Sequence, residues 1–249
     1  MAVLLVAAVY FLVPLYAAFR YALRSDTGRT TISAFTSIPH QQGFTAAFSL
    51  SLRLGVVTTI ITLALMIPTA VYVHLRVPHL RTLFDGITIL PIVIPPVVMI
   101  VGVLAVAPTR LKSTPYLLAL EYVVLAMPFA YRSLDAGLAA MDLKTLVEAS
   151  RSLGGGGVAT LLRVIVPNLR SAILSATVLT VALVLGEFTM ASLDQYQTFP
   201  AWVVSFEQDN SHVSTAVSLL ALLGTWILLL IISSLDRSRV RAARTPGAS

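Results

Sequence analysis

Several apolar runs of about 18 residues or more, separated by short segments rich in arginine, constrain this chain more than any other feature. A helix rises about 1.5 Å per residue, so a run of that length crosses the hydrocarbon core of a bilayer. Six spans are expected: about Ala2 to Phe19, Phe48 to Val73, Ile87 to Ala107, Pro115 to Tyr131, Ser171 to Leu193, and Val213 to Leu235. The composition agrees, with 57% apolar and 11% charged residues in 249, against about 25% charged in soluble domains. The expectation is an all-α polytopic membrane protein with six transmembrane helices. A single transmembrane domain covers 1–249, with a core at about 48–235 and no room for a second large soluble domain. The first run lacks a basic leader and is long for a signal-peptide core, so it reads as a retained helix.

Pro68, Pro91, Pro95, Pro96 and Pro128 fall in or near these runs. Membrane helices tolerate proline because neighbouring helices satisfy the freed carbonyls. The stretch ILPIVIPPVVMI, Ile89 to Ile100, is therefore expected to kink or unwind.

Net charge is +6, and the positive-inside rule accounts for it. With both termini cytoplasmic, Arg76, Arg81, Arg132, Lys144, Arg151, Arg163, Arg170, Arg237, Arg239, Arg241 and Arg244 lie inside. Arg24, Arg29, Arg110 and Lys112 lie outside, and Arg20 and Arg53 sit near helix ends where they can snorkel. Asp194 to His212 contains no Lys or Arg, as an outer loop should. No basic stretch is interleaved with base-stacking aromatics, so nucleic acid is not an expected partner. The chain has no cysteine, and His40, His74, His79 and His212 lack metal-site spacing. No cofactor is expected. His74 and His79 read as residues of a solvated loop.

The longest break in the apolar pattern runs from about Arg132 to Arg170. Asp142 is the expected helix N-cap, followed by an apolar stripe at Leu143, Leu146, Val147 and Leu153. Gly154 to Gly157 then end the helix, since four interior glycines would cost it about 4 kcal/mol. Val158 to Val166 resumes and leads through Pro167 toward the fifth span, making a helix–turn–helix elbow over about 142–167. A phosphate-binding loop is excluded, because Val158 and Ala159 stand where a Walker-type loop needs Lys and Ser or Thr.

Glu148-Ala149-Ser150, three residues, Gly154, nine residues and Val164-Ile165-Val166-Pro167 resemble the EAA loop of bacterial ABC importer permeases. That loop reads EAA, three residues, glycine, nine residues, Ile-x-Leu-Pro. Ser150 replaces the second alanine, and Val164 and Val166 replace Ile and Leu, all conservative in size. The resemblance implies the permease fold of that family and a coupling helix at Leu143 to Leu153 that docks on a separate ATPase subunit. In that scheme Glu148 and Arg151 supply polar contacts, Ala149 permits close approach and Gly154 makes the turn. It also implies two ATPase subunits, a second permease (a different chain rather than a copy), an extracytoplasmic substrate-binding protein and a bacterial cytoplasmic membrane. The chain itself would not be an enzyme.

Leu90 to Leu104 and Val184 to Leu193 look like the branch serving polyamines, ferric iron, thiamine and sulfate-type anions, nearest the spermidine/putrescine group. Glu121 and Glu187 fall inside expected spans. Each costs about 2.5–3.5 kcal/mol at mid-membrane unless paired or solvated. Either they bond to neighbouring hydroxyl or backbone groups, or they line a pathway for a cationic substrate. A secondary transporter would show inverted repeats, and none is evident. An intramembrane enzyme would need a nucleophile–base or metal constellation, and none is present.

Overall fold

A computed structural model describes residues 2–24, 30–208 and 210–242, with side chains from 3 as far as 227 within those ranges. Arg29 and Arg244 of the charge count lie outside the described residues, as do the side chains of Arg237, Arg239 and Arg241. The described residues contain no strand, and Arg24 and Thr30 make an isolated bridge. The principal helices are α1 (Ala2–Ala22), α2 (Phe44–Arg76), α3 (Arg81–Val93), α4 (Pro96–Val106), α5 (Tyr116–Ala139) and α6 (Leu143–Ser152). After these come α7 (Gly157–Asn168), α8 (Arg170–Gly186), α9 (Thr189–Leu193), α10 (Phe199–Glu207) and α11 (Ser211–Ala242).

Among the described residues, α1, α2 and α5 are each long and apolar enough to cross a membrane. The pairs α3–α4 and α7–α8 qualify together, bent by 93° and 78°, which gives up to five spans. The described apolar part of α11, Ser211–Ile227, is shorter than that criterion. The 93° bend falls in the proline stretch, as expected. Ile94 and Pro95 are extended, with ψ of 121° and 135°, because a following proline disfavours the helical region.

The chain forms two compact units. Met1–Ser51 and Tyr196–Ile231 make the first. Its core gathers Ala22, Ile38, Ala47, Trp202, Val213 and Val217. Trp202 meets Phe44 edge-on with ring centres 5.5 Å apart, stacks on Phe206 at 4.9 Å, and donates its indole N–H to the Gln42 carbonyl at 3.0 Å. Most of α1 is exposed, including Val3, Leu4, Tyr10 and Phe11. Such a surface suits lipid or another helix rather than water.

Leu52–Gln195 make up most of the second unit. Here α5 packs against α8 with Tyr122, Tyr131, Leu134 and Ala176 fully buried. A Cβ at Gly137 would lie 2.5 Å from that of Ala172, so this helix contact requires glycine. Thr58 in α2 donates its hydroxyl to the Ala119 carbonyl at 3.2 Å.

Two expectations are corrected. His74 is not in a loop, because α2 continues to Arg76. Its ring is within 3.1 Å of the Ala70 carbonyl and its Nε2 is 3.4 Å from Asp135. Basic residues suit a last helical turn, where they face the negative end of the helix dipole. The fifth apolar run is also not continuous. Glu187 is extended (ψ 120°), α8 ends at Gly186, and α9 starts after Phe188.

Candidate functional site

The glycine elbow is built by three local devices. Asp142 starts α6: its carboxylate accepts from the Thr145 N–H at 3.3 Å and from the Thr145 hydroxyl at 2.7 Å. These bonds, the hydroxyl first, hold its carboxyl below the ordinary carboxylate range. The inner face of α6 buries Leu143 and Val147 in a cluster with Leu134, Leu138, Ile165 and Leu169. That cluster fixes the helix against α5 and α7.

The end of α6 is a Schellman closure. The Gly155 N–H donates to the Ser150 carbonyl at 2.8 Å and the Gly154 N–H to the Arg151 carbonyl at 2.9 Å. Gly154 has φ +78°, a left-handed conformation that costs other residues about 1–2 kcal/mol. A Cβ on Gly155 would lie 2.8 Å from the Ser150 carbonyl oxygen, so this second glycine is also fixed by its surroundings. Gly156 and Gly157 meet no such neighbour.

Beyond the turn, α7 includes one wide π turn over Leu161–Ile165, just before Pro167. Proline supplies no N–H, and Asn168 Nδ2 donates to the Val164 carbonyl at 2.7 Å. The 78° bend follows, between Asn168 and Arg170. The hydroxyls of Ser150 and Thr160 lie 2.8 Å apart. Thr160 is buried and also donates to the Gly156 carbonyl at 3.0 Å.

The expected elbow residues thus separate by face. Glu148 and Ala149 are exposed on α6, and Leu153 is 90% exposed. Leu153 does not join Leu143 and Val147 in the buried stripe, because the chain turns away at Gly154. Val158 and Leu162 are exposed beyond the elbow. Arg151 borders a cavity of about 240 Å³ with Arg76, Tyr72, Val147 and Thr160. Ser150 faces inward to Thr160, and Pro167 is exposed before the bend. The Ser150–Thr160 link was missed in the sequence. Its only signal was a hydroxyl residue on either side of the glycines, ten positions apart.

The two acids of the apolar runs differ sharply. Glu187 accepts from the Tyr122 hydroxyl at 3.0 Å, the Met190 N–H at 2.9 Å and the Ala191 N–H at 3.4 Å. It closes the start of α9 and needs no ligand to be satisfied. Gly186 and Glu187, one residue short of a small apolar helix, were the stop-and-start signal in the sequence. Glu121 is 3% exposed, and both its carboxyl oxygens are buried without a hydrogen-bond partner. The structure brings it near Glu187 and Asp194, whose charges act on it. Asp194 likewise has a buried oxygen without a partner, and burial raises its carboxyl above the ordinary range. Among the described residues no group of His, Asp or Glu is arranged to hold a metal ion.

No family model matches the chain. A curated relative, the probable transport system permease protein NifC of Clostridium pasteurianum, is 28% identical over 93 residues. That match covers 35% of this chain and 32% of the relative, about a third of its length. The fold superposes on a chain of a bacterial alginate ABC transporter, solved in complex with an alginate pentasaccharide-bound periplasmic protein. The TM-score is 0.69 at 14% identity, over 99% of this chain and 95% of the other. The chain therefore shares its all-helical fold with a chain of an ABC transporter, and part of its sequence is similar to a transport permease.

Proposed function

We propose that this chain is the permease subunit of a binding-protein-dependent ABC importer in a bacterial cytoplasmic membrane. It moves a small solute inward while a partner subunit hydrolyses ATP. The observation that carries this reading is the elbow. A short helix is locked to the bundle on one face through Leu143 and Val147 and exposes Glu148, Ala149 and Leu153 on the other. Such a helix can transmit force only if something outside the bundle grips its exposed face. Two ATPase subunits supply that grip, and ATP favours one of two arrangements of the helix bundles. A second, non-identical permease completes the pathway, a substrate-binding protein delivers the solute from outside, and both termini are cytoplasmic.

Glu121 directs the choice of solute toward a cation of the spermidine/putrescine class. Among the described residues no Lys or Arg forms an ion pair with Glu121, Glu187 or Asp194. A buried carboxylate without a partner is costly, and a cationic solute or a proton relieves that cost. Glu187 keeps a place beside this site through Tyr122, although its own bonds also explain it structurally. The test is to co-purify the chain with its partners and screen the binding protein for ligand-induced thermal stabilisation. Stabilisation by spermidine or putrescine supports the reading. Stabilisation by an anion alone removes the polyamine assignment, and failure to recover any ATPase removes the importer assignment.

A further inference from the structure

Beside the elbow, in the same compact unit, three helices meet at one carboxylate. Asp135, near the end of α5, accepts a forked pair of hydrogen bonds from Arg81, the first residue of α3. Arg81 Nε is 2.7 Å from one carboxylate oxygen, and its second nitrogen holds the other. His74, in the last turn of α2, places its Nε2 3.4 Å from the first oxygen. The carboxylate is mostly withdrawn from solvent, with 15% of its side chain exposed, and the His74 side chain is 11% exposed. Tyr131, one turn earlier on α5, and Asp85, one turn later on α3, are the other titratable groups close to Arg81.

The position of this carboxylate is as informative as its geometry. Leu134 and Leu138, which flank Asp135 on α5, are buried in the same cluster as Leu143 and Val147 of α6. Displacing α6 must therefore displace this end of α5, because a packed cluster moves as a body. The forked bonds continue that body to α3, and α3 is the first arm of the span bent by 93° at Ile94 and Pro95. Phe84 of α3 adds an apolar contact to the cluster. α3 also packs along α5, with Thr88 buried and Asp85 and Ile89 half-buried, while Leu83, Ile87, Leu90 and Ile92 are exposed. The forked ion pair adds a directional tie to that packing.

We propose that Arg81 and Asp135 are positioning residues that pass the movement of the elbow helix to the broken span, with His74 backing the carboxylate. This inference rests on the importer reading. A planar guanidinium fork resists rotation where an apolar contact slides, which is what a linkage carrying motion requires.

The test uses the full complex, with ATPases and binding protein, in proteoliposomes, and reads solute moved per ATP hydrolysed together with assembly yield. Asp135→Asn and Arg81→Gln are expected to assemble at the wild-type yield and hydrolyse ATP. Solute moved per ATP should fall about tenfold. The exchanged double variant, Arg81→Asp with Asp135→Arg, should recover most of that ratio, which a general packing defect would not do. An unchanged ratio in both single variants overturns the linkage. So does a loss of assembly in the single variants that the exchange repairs without restoring the ratio. If the wild-type complex moves no solute with ATP, the importer reading itself fails and the linkage falls with it.

Discussion

The hydroxyls of Ser150 and Thr160 lie 2.8 Å apart, joining the helix before the glycine elbow to the helix after it. Ser150→Ala should loosen the elbow by about 1 kcal/mol, the net worth of one such bond. Hydrogen exchange would show this as roughly fivefold faster exchange at the amides from Gly155 to Thr160. Unchanged exchange would mean that the two helices are held together by packing alone.

The four glycines should not be equivalent. Gly154→Val places a branched residue at φ +78°, and Gly155→Ala drives a methyl onto the Ser150 carbonyl. Each should lower stability by about 1–3 kcal/mol. Gly156→Ala meets open space and should change stability by less than about 0.5 kcal/mol. Thermal unfolding of the purified complex measures the ranking, and equal effects at all three positions would contradict the geometry.

Glu121 and Glu187 separate in the same way. Glu187→Gln weakens the bonds that start α9 and should lower stability by about 1 kcal/mol. Glu121→Gln breaks no hydrogen bond and should leave assembly intact while lowering uptake of a cationic solute about tenfold. Uptake in proteoliposomes and melting of the complex, measured on both variants, tell the two roles apart. Full uptake with Glu121→Gln would leave Glu121 without a part in the pathway.

The Asp142 cap has a defined acid limit. Its folded pKa is lowered by Thr145 from an ordinary value of 3.8. Its contribution is therefore complete above that value and is lost as pH falls through the lowered one. Protection of the Thr145 amide should be flat from about pH 5 to 8 and decline below about pH 4. Asp142→Ala should abolish the pH dependence, and Asp142→Asn should keep most of the cap. A decline in protection near neutral pH would assign the effect to another group.

The helical architecture was legible because apolar run length and proline position act locally. The break at Ile94 and Pro95 and the cap at Asp142 were read for the same reason. The elbow was legible because glycine in a left-handed turn is a property of one residue. What escaped depended on partners distant in sequence. His74 looked like a loop residue until α2 extended past Val73 to bring it to Asp135, 61 positions away. Leu153 looked like part of the buried stripe, yet the turn at Gly154 swings it outward. Glu187 looked continuous with its span because the N–H groups it caps belong to a helix too short to show periodicity.

In the proposed importer, the elbow couples this chain to ATP hydrolysis in a separate subunit. The most direct measurement is solute uptake and ATP hydrolysis together, in proteoliposomes holding the chain with its co-purified ATPase, second permease and binding protein. Wild-type uptake should require ATP. Gly154→Val should assemble and hydrolyse ATP with uptake reduced about tenfold or more. ATP-driven uptake by Gly154→Val at the wild-type ratio, or wild-type uptake sustained without any ATPase, would contradict it.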